Sequence, residues 1–110
     1  MAYDEDLANR LREMLANQHG VTEKAMFGGL AFLVNGNLAV SASGQGGLLL
    51  RADPAQTEEL TRAAHAQPFM MRGRAMDGWL RVEPDGIETD AQLSRWVGLG
   101  VARALDFPPK

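Results

Sequence analysis

The residues in this chain whose types and spacing suggest a binding chemistry are arginines. Arg72 and Arg74 flank Gly73, and on an extended strand residues two apart point the same way. If the strands either side of this turn pair, Arg81 joins them with Trp79 close by. Such a set could grip phosphate, a carboxylate or an acidic protein surface. The competing reading is a charged strand edge that discourages aggregation. A net charge of −3 favours that second reading and argues against a dedicated nucleic-acid domain, although a local basic patch is compatible with it.

No catalytic set stands out. The chain has no cysteine, which excludes thiol catalysis, disulfides, cysteine-ligated zinc and iron–sulfur clusters together. Neither His19 nor His65 has a carboxylate or second histidine at metal-ligand spacing, and each abuts the expected end of a helix, where a cation suits the dipole. Ser41, Ser43 and Ser94 fall in a strand, a turn and a helix, none of them a nucleophile elbow. Asp4, Glu5 and Asp6 read as helix-start charges. Gly44-Gln45-Gly46-Gly47 is followed by a strand, where a phosphate loop needs a helix N-terminus. The expectation is therefore a protein without enzymatic activity, cofactor or metal. Met14, Met26, Met70, Met71 and Met76 read as adaptable core filler, Met26 and Met76 alternatively bordering a binding surface.

The elements that must position these residues follow from periodicity. Leu7, Leu11, Met14 and Leu15 predict a helix over about 4–18, capped by Asp4, with Asp6 and Arg10 four apart and Gly20 as its stop. Residues 26–42 predict a hairpin about Asn35-Gly36, because both turn residues tolerate the positive φ of a type I′ turn. A regular register places Ala31, Leu33, Leu38 and Val40 on one face, expected to meet the helices. It leaves Leu30, Phe32 and Val34 on a second, partly covered face that is the candidate interaction surface. Leu48–Ala52 reads as a third strand, and Asp53-Pro54 opens a weakly apolar helix over about 54–65. Phe69–Arg72 and Trp79–Val82 read as two more strands. Thr89-Asp90-Ala91-Gln92 is a capping box opening a last helix with the stripe Leu93, Trp96, Val97, Val101 and Leu105. Gly100 in that helix suggests close approach to the sheet.

These elements fit a single domain over residues 1–110, of the α+β class. The architecture is an antiparallel sheet of about five strands with helices packed on it, in the order α-β-β-β-α-β-β-α. The acidic start, Asp4-Glu5-Asp6, is unlike a signal peptide, no apolar run is of membrane-spanning length, and a cytoplasmic protein with no membrane contact is expected.

Lys24-Ala25-Met26-Phe27-Gly28-Gly29-Leu30-Ala31-Phe32, followed by the Asn35-Gly36 turn, resembles the opening of the TfoX (Sxy) N-terminal domain family. The resemblance continues through Leu48–Arg51 and Asp53, resumes at Phe69, Gly73-Arg74, Met76, Gly78 and Val82, and closes at Leu93 and Trp96. It implies an α+β domain on an antiparallel sheet; the chain departs from the family's regulators in ending at Lys110 without their helical C-terminal domain, and a stand-alone version is expected. It also implies kinship with competence regulators that act on transcription together with the cyclic-AMP receptor protein, and it transfers no catalytic residue. The leading expectation is thus a non-enzymatic regulatory module that binds another protein, such as a transcription regulator, or a second copy of itself. The rival is a weak nucleic-acid or anionic-ligand binder using Arg72, Arg74 and Arg81.

Overall fold

A computed structural model describes residues 3–26, 28–62, 65–71 and 73–109. The first helix, α1 (Glu5–Met14), starts where Asp4 accepts hydrogen bonds from the amides of Asp6 and Leu7. It buries Leu7, Ala8 and Leu11 and ends before the expected stop at Gly20. Arg10 does not pair with Asp6. It reaches across to the carbonyls of Ile87 and Glu88, with Asp90 at 3.5 Å, because neutral acceptors at 2.8 and 3.3 Å hold its fork better than a solvated i, i+4 partner.

Among the described residues six strands form one antiparallel sheet: β1 (Val21–Met26), β2 (Gly29–Val34), β3 (Asn37–Ala42), β4 (Leu48–Arg51), β5 (Ala66–Met71) and β6 (Arg74–Val82). Their spatial order is β1-β2-β3-β4-β6-β5. The sheet therefore has one strand more than the hydrophobic pattern suggests. The addition is β1, an edge strand whose Thr22, Glu23, Lys24 and Ala25 are all exposed and so carry no apolar alternation. Arg12 of α1 grips this edge, donating to both carboxylate oxygens of Glu23 at 2.8 and 2.9 Å. That bond holds the Glu23 carboxyl below its ordinary pKa.

The hairpin turn is as expected, with Asn35 at φ 54 and Gly36 at φ 83. Its faces are not. A bulge between Phe32 and Leu33 inserts Ala39 as an extra residue, so Phe32 pairs with Val40 and Leu30 with Ala42. Leu30, Phe32, Val34, Val40 and Ala42 consequently turn inward and are buried. The opposite face takes the smaller Ala31 and Ser41, and the Ser41 hydroxyl donates to the carbonyl of Leu30.

Between β4 and β5 the expected helix shrinks to a 3-10 turn (Pro54–Gln56) and one turn of α2 (Thr57–Leu60), neither burying a residue. The last helix, α3 (Asp90–Leu105), carries the full capping box between Thr89 and Gln92. It lies across the middle strands, close enough that a Cβ on Gly100 would fall 2.5 Å from the Ala39 carbonyl oxygen. Leu93, Trp96 and Val97 are buried, whereas Leu105 at the end of the expected stripe is 51% exposed. α1 and α3 together close the core over Leu30, Phe32, Val40, Leu48, Leu50, Leu80 and Val82. Burial of each larger side chain here contributes roughly 1.5–3 kcal/mol. No helix among the described residues is long and apolar enough to cross a membrane.

Candidate functional site

The three residues expected to form an interaction face, Leu30, Phe32 and Val34, line the core under the helices at 9%, 1% and 0% exposure. On the opposite face of the hairpin Ala31, Leu38 and Ser41 are buried and Leu33 is half-buried. The hairpin thus offers no exposed apolar surface among the described residues. The reason is the bulge, which gives the larger side chains to the helix side.

The arginine set is likewise divided. Arg72 lies outside the described residues. Arg74 opens β6 and Arg81 lies near its other end, seven residues and on the order of 23 Å away. The Arg81 guanidinium is already engaged, donating to the carbonyls of Gln45 and Gly46 at 3.2 and 3.0 Å. It ties the loop after β3 to β6. Trp79 faces a different arginine: it is the register partner of Arg51 on β4, whose guanidinium carbon lies 5.6 Å from the indole centroid.

The motif residues take positions that differ from a strand start. Met26 ends β1, Phe27 lies outside the described residues, Gly28 sits in the connecting turn at φ 76, and Gly29 opens β2. A Cβ on Gly29 would run into the Ala42 carbonyl, so this glycine is required by contact with β3. Gly73 forms the β5–β6 turn at φ 77. Gly78, also at positive φ, accepts a 2.7 Å hydrogen bond from the Ala52 amide.

That bond marks where β6 leaves the main sheet. β4 pairs with β6 from Trp79 to Val82, while Arg74 and Ala75 have partners on β5 alone. The β5–β6 hairpin therefore ends in a two-stranded ribbon. Its tip carries Met70, 55% exposed, and Met76, 36% exposed, together with the exposed Arg74. These two methionines are not core filler; Met14, by contrast, packs against the core. Met70 pairs with Ala75, so it projects from one face of the ribbon, while Met76 and Arg74 share the other, where an exposed, flexible thioether stands beside a guanidinium. Sequence pattern marks Met76 as the border of a binding surface and misses Met70, since exposure of a strand methionine has no local signal.

A second cluster joins distant parts of the chain. Arg51 of β4 and Arg103 in the last turn of α3 both stack on Phe107, their guanidinium carbons 4.2 and 4.7 Å from its centroid. Burial and the neighbouring Arg103 charge hold Arg51 below its ordinary pKa. The segment bearing Phe107 is fastened by the buried Asn37 side chain, which donates to the Pro108 carbonyl at 3.0 Å. Nothing in the local sequence around residues 51 or 103 signals this meeting.

His65 comes within 4.0 Å of Glu83, a proximity that chain spacing conceals. Among the described residues no group of three or more His, Asp or Glu side chains is placed to hold a metal ion.

The family model of the TfoX N-terminal domain matches residues 13–104. No curated protein matches the chain.

Proposed function

The chain belongs to the TfoX N-terminal domain family, and from that premise we propose that it is a non-enzymatic regulatory module that works by binding another protein. The observation that carries this reading is the ribbon tip, where Met70 and Met76 stand exposed beyond the end of β4. Leaving two large apolar side chains in water on one projecting feature serves no packing purpose and suits a partner that covers them. Arg74, on the same ribbon face as Met76, favours a partner surface that pairs an apolar patch with an acidic rim.

The polar side chains that reach across the fold, Arg10, Asn37 and Arg81, are spent on backbone carbonyls. Their use is structural. Transcriptional regulation is the role the family relationship suggests for that binding.

The test is site-specific photocrosslinking in the native host. A photoreactive residue at position 76 is expected to give one discrete adduct. The same probe at Glu58, exposed on α2, gives none, and Arg74→Glu, on the same ribbon face as position 76, abolishes the adduct from position 76. Equal adducts from both positions, or none from position 76, would sink the reading.

A further inference from the structure

Arg51 and Arg103 are held by the same ring, which keeps their charged carbons within about 9 Å of each other. An aromatic face positions cations without neutralising them. The carboxylate at this cluster is Asp106, 3.6 Å from Arg103 and itself 63% exposed. Among the described residues Arg51 has no oxygen partner, although its side chain is half-buried. The half-buried arginines Arg10 and Arg81, by contrast, are spent on carbonyls. The cluster therefore carries a local positive excess on a chain whose net charge is −3.

Two half-buried guanidinium groups repel each other, and the lowered pKa of Arg51 has that repulsion as one of its causes. A compact oxyanion at the rim of the ring would accept from both forks and remove the repulsion. We propose that Arg51 and Arg103 form a binding site for one such oxyanion, a phosphate or carboxylate carried by a small molecule, with Phe107 as its floor and Trp79 as an apolar wall. A nucleic-acid backbone is the wrong ligand for it, since polyanion binding draws on a run of cations and this site offers two.

The experiment follows the side-chain Nε–Hε signals of Arg51 and Arg103 by NMR in the intact protein. Inorganic phosphate, acetate and chloride are titrated separately at constant ionic strength. Saturable shifts of both signals are expected with phosphate, acetate or both, and the responding anion identifies the ligand's charged group. Arg51→Gln and Arg103→Gln each weaken binding at least about tenfold. Arg51→Lys, which keeps the charge but loses the planar fork, falls between. A linear drift of the same size with all three anions overturns the proposal, as does retention of affinity within about twofold in Arg51→Gln. The wild-type titration reads both arginines directly, so it decides the matter even where a variant fails to fold.

Discussion

Gly100 of α3 lies directly over the carbonyl of Ala39, the bulged residue of β3, with no room between them for a Cβ atom. Two residues earlier, Gly98 faces open space. The same substitution should therefore have opposite signs at the two sites. Gly100→Ala forces helix and sheet apart and is expected to destabilise the fold by about 1–3 kcal/mol, despite the better helix propensity of alanine. Gly98→Ala gains that propensity without a clash and should stabilise by up to about 1 kcal/mol. Urea denaturation of the two variants measures both.

Phe32 is 1% exposed between the sheet and the helices. Phe32→Ala leaves a cavity there and is expected to cost about 3–5 kcal/mol, read as a fall in the urea midpoint. A partner surface at Phe32 would instead leave the midpoint almost unchanged.

The ribbon tip should behave in the opposite way. Met70→Glu replaces a side chain that is 55% exposed, so the stability is expected to stay within about 0.5 kcal/mol of wild type. A large loss in the same urea experiment would show that Met70 is a packing residue.

The Arg12–Glu23 pair makes a pH-dependent contribution. The Glu23 pKa is lowered in the folded protein, chiefly by the hydrogen bonds from Arg12, so the stabilisation is fully present above the ordinary glutamate value of about 4.3. It is lost as pH falls through the lowered folded value. Glu23→Gln should therefore be less stable than wild type at neutral pH and converge with it in acid, which denaturation midpoints at about pH 7 and about pH 3 will compare. Both groups are largely exposed, so the difference is small and shrinks with added salt.

Local chemistry was legible where it acts over a few residues. Asp4, Thr89 with Gln92, and Asn35-Gly36 each satisfy or shape backbone within one turn, and each does so as its residue type dictates. Edge strand β1 was not legible, because a strand open to solvent needs no apolar period. The bulge at Ala39 was not legible either: no local residue type marks it, and the neighbour that its carbonyl meets, Gly100 of α3, lies about sixty residues away along the chain. That single residue moves Val40 and Ala42 onto the face of Phe32 and Leu30, which meets the helices, and so removes the candidate interaction surface. The Arg51–Phe107–Arg103 cluster lay out of reach for the same reason: its members come together only through the packing of β4 against the end of α3.

The hydrogen bond from Asn37 to Pro108 bears on how the protein is made. Asn37 is buried at 1%, and its amide finds its acceptor 71 residues downstream. Arg10 likewise waits 77 residues for Ile87. Synthesis delivers the chain in order, at about 5–20 residues per second, so the hairpin emerges from the ribosome several seconds before its last polar group can be satisfied. A nascent chain arrested before Pro108 should thus hold a loose, protease-sensitive hairpin, and the domain should set as one unit once Pro108 has emerged.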